Sequence, residues 1–144
     1  MLKKEIALLL ITFSGFTFAN CSVPDSLDDM TFINVIDPTY SNSNPNAGAI
    51  AKVTYSNKKY VTEFLNRELG PFYGRYTYSV LDKDNGIGLY LGDEKDPLNK
   101  PSHSVLFKCL TNTYGTAIFT QISGVNEPIG RQNMLSYTVI KNEQ

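Results

Sequence analysis

From Tyr73 onward the chain alternates apolar and polar residues with a period of two, and turn-forming residues cut the alternating runs, which confines it to short antiparallel strands. In YGRYTYSVL, Tyr76, Tyr78 and Val80 share one face while Thr77, Ser79 and Leu81 take the other. HSVLFKCL at 103–110 puts His103, Val105, Phe107 and Cys109 on one parity; YGTAIFTQIS at 114–123 and NMLSYTVIK at 133–141 are further strands. Asn85-Gly86 is the dipeptide that best tolerates the positive φ angles of a type I′ hairpin, so Val80 and Leu89 are expected in paired strands. Upstream, MTFINVI at 30–36 and AIAKVTYS at 49–56 read as two more strands, the second with Ala51, Val53 and Tyr55 on one side.

One segment breaks the β pattern. In KKYVTEFLNREL, Tyr60, Val61, Phe64, Leu65 and Leu69 recur at helical spacing, Gly70-Pro71 supplies a stop, and Asn57 is suited to cap the start. A helix is therefore expected over about 58–69, with a Glu63 to Arg67 pair on its polar side. Seven strands and one helix result, mainly β, with short turns between neighbours. Meander order is the simplest topology, and curving the sheet into a closed or nearly closed barrel removes exposed edges. The alternative is an α+β arrangement with the helix packed on an open sheet.

The first nineteen residues, MLKKEIALLLITFSGFTFA, follow the grammar of a secretory signal: Lys3 and Lys4, then an apolar stretch from Ile6 to Phe13, then Thr17-Phe18-Ala19 at the cleavage positions. The apolar run is shorter than the roughly 20 residues a membrane-spanning helix needs. Export to a periplasmic or extracellular location is expected, with no membrane span. Lipidation at Cys21 is the second reading, and Asn20 fits it poorly. Cleavage leaves 125 of 144 residues, one domain's worth, organised as a linker at 20–29 and a β-rich domain at 30–144. It also removes Lys3, Lys4 and Glu5 from 13 basic and 14 acidic residues, leaving 11 and 13 and a formal charge of −2. No run of Lys and Arg forms a nucleic-acid stripe. In an oxidising compartment Cys21 and Cys109 are expected to close one disulfide, a structural staple, since no CxxC pairing is present.

No catalytic residue, metal ligand set or cofactor motif emerges. Asp82-Lys83-Asp84-Asn85-Gly86 invites a calcium reading, but Gly86 stands fifth where an EF-hand loop wants its glycine sixth, and a plain turn accounts for it better. Asp93, Glu94 and Asp96 read as a solvated loop. His103 is the sole histidine and reads as a half-exposed strand-end residue, its neighbours Ser102 and Ser104 on the opposite strand face. The run GRYTYSVLDKDNGIGLYL, followed by VLFKCLTNTYGTAIF and GRQNMLSYTVI, resembles small exported bacterial barrels of the calycin-like type, including the MoaF-like group. The likeness spans about half the chain, and the expected helix departs from a plain up-and-down barrel. The resemblance implies a binding protein for a small, often apolar ligand held in the barrel, without catalysis. Tyr76, Tyr78, Phe107 and Tyr137 are the candidate pocket residues. A secreted interaction or inhibitor protein, presenting loops 37–48 and 92–102 to a protein partner, is the second functional reading.

Overall fold

A computed structural model of the protein describes residues 21–39, 46–93, 102–123 and 130–141. The predicted export signal lies outside these residues, as do parts of the loops 37–48 and 92–102. Eight strands follow in chain order: β1 (Met30–Ile36), β2 (Ile50–Ser56), β3 (Lys59–Phe64), β4 (Phe72–Asp82), β5 (Ile87–Asp93), β6 (His103–Cys109), β7 (Tyr114–Gln121) and β8 (Gln132–Lys141). Each pairs antiparallel with the next, and β1 also pairs with β8 from Met30↔Lys141 to Ile36↔Leu135, which closes the barrel. Every strand thus has two neighbours and no ladder edge is left open.

The expected helix at 58–69 is instead a strand and a connection. Ser56 pairs with Lys59, so Asn57-Lys58 is a two-residue hairpin loop, and its φ angles of 51 and 58° are those of a type I′ turn. Asn57 turns the chain where a helix cap was expected. The apolar spacing is ambiguous because an i, i+4 pair such as Tyr60 and Phe64 is an even step, and so fits a period of two as well as 3.6. Thr62 shares the Tyr60 and Phe64 parity, while Leu65 and Leu69, which a buried helical stripe would cover, are exposed. Glu63 pairs across the sheet with Lys52 at 3.2 Å, and Arg67 donates to the Ala47 carbonyl, so the expected Glu63 to Arg67 pair is not made.

The Asn85-Gly86 turn also differs in detail. Val80 and Leu89 do lie in paired strands, β4 and β5. Of Asn85 and Gly86, however, only Gly86 has a positive φ, 61°, and the loop is a longer one in which Asp82 accepts from the Asn85 backbone and side-chain nitrogens. Those bonds hold the Asp82 carboxyl below its ordinary range.

The strand parities deliver the interior. Phe32, Tyr55, Tyr76, Tyr90, Phe107 and Tyr137 are all buried and form one aromatic cluster, with Phe32 stacked on Tyr137 at 5.4 Å and Tyr76 on Tyr90 at 5.5 Å. Such ring pairs each add about 0.5–1.5 kcal/mol beyond the area they bury. Glycines on the same inward parity make the space: a Cβ at Gly88, Gly92 or Gly115 would come within 2.4, 2.3 and 2.5 Å of the phenol oxygens of Tyr78, Tyr90 and Tyr137. Alternating small and large residues is how a narrow barrel accommodates rings.

Residues 21–29, expected as a linker, form no strand but are packed against the barrel, with Val23 and Leu27 buried in the core cluster. They cross the end from which the three short turns leave. Cys21 is disulfide-bonded to Cys109 with Cα atoms 6.0 Å apart, as expected, Ser22 N donates to Asn112 Oδ1, and Asp28 accepts from the Lys58 backbone at 2.9 Å. Tyr76 donates to Asp28 at 2.6 Å and Lys58 Nζ stands 3.0 Å away, and these contacts, the tyrosine first, hold Asp28 down at about 2. One end of the barrel is therefore closed.

Candidate functional site

An eight-stranded barrel is just wide enough either to be filled by side chains or to hold one small ligand. This barrel does both at different heights. At the end opposite residues 21–29, from which the connections 37–49, 65–71, 94–102 and 122–131 leave, the inward side chains are smaller: Ala51, Val53, Thr62, Asn34 and Asn133. They leave a cavity in two adjoining lobes that share Asn46, Thr62, Phe64, His103 and Phe119. The inner lobe has a volume of about 100 Å³ and is bounded also by Ile36, Tyr55, Tyr90, Val105 and Leu135. The outer lobe, of about 320 Å³, adds Tyr60, Leu69, Phe72, Gln121 and Arg131. Its size alone reaches the lower end of the range for small-molecule pockets.

None of the four candidate pocket residues lines either lobe. Tyr76, Tyr78, Phe107 and Tyr137 belong to the filled half: Phe107 lies 5.3 Å from Tyr137 and 6.5 Å from Tyr78, and Tyr76 packs on Tyr55 at 5.1 Å. They form the floor beneath the cavity. Burial pushes the Tyr137 phenol up to about 12 and also raises those of Tyr55, Tyr76, Tyr78 and Tyr90, the Asp28 hydrogen bond adding to the shift of Tyr76, so the floor carries no phenolate near neutral pH.

His103 is the first residue of β6 and keeps intermediate exposure, as expected of a strand end, but its ring stands in the wall of both lobes. Its ring is stacked on Phe119 at 5.4 Å and meets Tyr60 edge-on at 5.6 Å. Ser102 precedes the first residue of β6 and so escapes the alternation that would send it to the other face; its Oγ lies 2.9 Å from His103 Nδ1 and donates to the Gly92 carbonyl at 3.2 Å. With Ser102 donating to that carbonyl, Nδ1–H donates to Ser102 Oγ and Tyr90 O–H donates to Nε2 across 3.2 Å. One assignment of protons thus satisfies the whole network. Burial lowers the imidazole to about 4, against a smaller opposing pull from Asp93, so it is neutral at ordinary pH. Asp93, expected in a solvated loop, is itself buried at the end of β5. Both imidazole nitrogens are engaged and Ser102 lines neither lobe, so this set positions a flat, neutral wall for the cavity.

Among the described residues no group of three or more His, Cys, Asp and Glu side chains is placed to hold a metal ion, and no helix is long and apolar enough to cross a membrane. The sequence marks the cavity only indirectly. Ala51, Val53 and Thr62 sit on the inward parity, and their small size is the legible signal of a hollow. The molecule defined by these features is a closed eight-stranded up-and-down barrel with one sealed end and an end-on cavity. No family model, curated protein or solved structure matches the chain, so the chemistry of the cavity is read from its own residues.

Proposed function

We propose that this protein is an exported binding protein that holds one small, largely apolar molecule in the open half of the barrel and does not transform it. The observation that carries the reading is the division of the interior into a sealed aromatic floor and a cavity bounded by Val53, Phe64, Phe119 and Leu135. A core selected only for stability would fill that space, since an unfilled hollow forfeits packing contacts. The disulfide is compatible with an oxidising compartment, and the pattern of residues 1–19 supports export. The calycin-like resemblance supports the same class of function.

Mass measurement of protein recovered from the exported fraction, native and then denatured, tests this. A small molecule that leaves on denaturation is expected. A Val53→Phe variant, which places a ring in the inner lobe, is expected to fold and to carry nothing. Protein that binds no small molecule in either form, across extracts of its host, refutes the reading. The same spectra test export, for which a chain beginning at Asn20 and two hydrogens lighter until reduced is expected.

A second reading has one observation in its favour. The loops 37–48 and 92–102 leave from the same open end, so a protein partner could meet both at once. Capture of a partner that survives Val53→Phe and is lost on shortening either loop would favour it.

A further inference from the structure

The inner lobe is lined by two side-chain amides whose carbonyl oxygens the fold leaves unmet. Asn34 on β1 is 8% exposed and Asn133 on β8 is 2% exposed, and the Oδ1 of each has no hydrogen-bond partner among the described residues. Both line the inner lobe. Strand register sets them at different depths: Asn34 pairs with Tyr137, beside the aromatic floor, whereas Asn133 pairs with Phe119, nearer the mouth. Buried polar groups in folded proteins nearly always have partners, and two orphaned carbonyl oxygens on residues that line one cavity point to donors brought in by its occupant.

The rest of the lobe limits what that occupant can be. Among the described residues no lysine, arginine, aspartate or glutamate lines it, so a charge placed there would be desolvated without a counter-charge from them. A hydrocarbon would satisfy the apolar walls and leave both amides unmet. A carboxamide side chain both donates and accepts, which suits a hydroxyl or an amide. Resting on the binding function proposed above, we infer that the cavity takes a neutral molecule of mixed polarity, an apolar frame carrying hydroxyl or amide groups that meet Asn34 and Asn133. Arg131 lines only the outer lobe, so an anion would be met at the mouth and not inside.

A matched series of probes tests the inference on the full mature protein. Toluene, benzyl alcohol, benzamide, benzoate and benzylamine share one ring and differ in polarity and charge. Each is titrated at neutral pH while the backbone resonances of Val53, Phe64 and Leu135 are followed. Benzyl alcohol and benzamide are expected to bind about tenfold more tightly than toluene, the worth of roughly one well-made hydrogen bond. Benzoate and benzylamine are expected to bind more weakly than toluene. Equal affinity across the series overturns the inference while leaving a ligand pocket in place. Tightest binding by benzoate overturns it in favour of an anion site at Arg131, and a series in which no probe moves these resonances overturns the pocket itself. Asn34→Leu and Asn133→Leu, made singly, supply the second measurement. At least one is expected to bind toluene with undiminished affinity and to lose most of the preference for benzyl alcohol. A preference unchanged in both variants shows that the amides do not meet the ligand and refutes the inference.

Discussion

His103 makes the protein's stability depend on pH in a window that can be isolated. Its imidazole is lowered from 6.5 to about 4, chiefly by burial against Phe119, Tyr60 and Tyr90, while the unfolded chain keeps the ordinary value. Below pH 6.5 the unfolded state therefore takes up a proton that the folded state refuses. The sign follows: the native state is favoured fully above 6.5 and loses that advantage as pH falls toward 4. At about 1.4 kcal/mol per unit the loss is about 2 kcal/mol at pH 5 and about 3 kcal/mol once both states are protonated. Because the chain has a single histidine, its proton resonances report this group without ambiguity. Urea denaturation of the wild type and of His103→Gln, each at pH 7.5 and 5, measures the energetic side. The wild type is expected to lose about 2 kcal/mol more than the variant between the two conditions. Folded-state titration of the imidazole near 6.5, or equal losses in the two proteins, would refute the reasoning that burial governs this side chain.

Three further outcomes are expected. Gly86→Ala should be destabilising twice over, by about 1 kcal/mol for a side chain at φ 61° and by about 1–3 kcal/mol for a Cβ set 2.0 Å from Cys109 Sγ. In a Cys21→Ala/Cys109→Ala background the second part should vanish, and a double-mutant cycle in chemical denaturation with no coupling would contradict the packing described. Removing the disulfide by that double substitution should cost at most about 4–5 kcal/mol, the loop-closure entropy of a separation of 88 residues, read from the same denaturation curves. Tyr76→Phe should let the Asp28 carboxyl rise from about 2 toward its ordinary range, because the phenol is its strongest stabiliser. Asp28 favours the native state above its unfolded value and loses that contribution as pH falls through about 2, so the variant should lose less stability on acidification below about pH 4, and a carboxyl titration followed by NMR checks it.

Much of the barrel was legible because strand parity is a local property. Tyr76, Tyr78, Val105, Phe107 and Cys109 were assigned to their faces from alternation alone, and the structure turns those faces inward. The Cys21–Cys109 pairing was legible for a different reason: with two cysteines in the chain only one bridge can form. The segment 59–64 was misread as helix because its apolar residues stand at even intervals common to both periods. What separated the two was the neighbouring turn: Asn57-Lys58 takes positive φ angles more often filled by glycine, so it carried little turn signal of its own.

Height within the barrel is a different kind of quantity. Parity says that Tyr137 and Asn133 both face inward, but not that the first lies in the floor and the second in the cavity wall. That depends on the register between β8, β1 and β7 and on residues 21–29 closing one end. The residue types along the chain determined by themselves a mainly β chain, the inward faces and turns outside residues 57–69, and its single disulfide, because each follows from the preferences of a few adjacent residues or from simple counting. Closure through the β1–β8 ladder, the sealed floor, the place of the His103 ring in the cavity wall and the unmet carbonyl oxygens of Asn34 and Asn133 were decided only by tertiary structure. Each depends on which distant side chains reach the same level of the barrel, and that is set by pairing across the whole sheet.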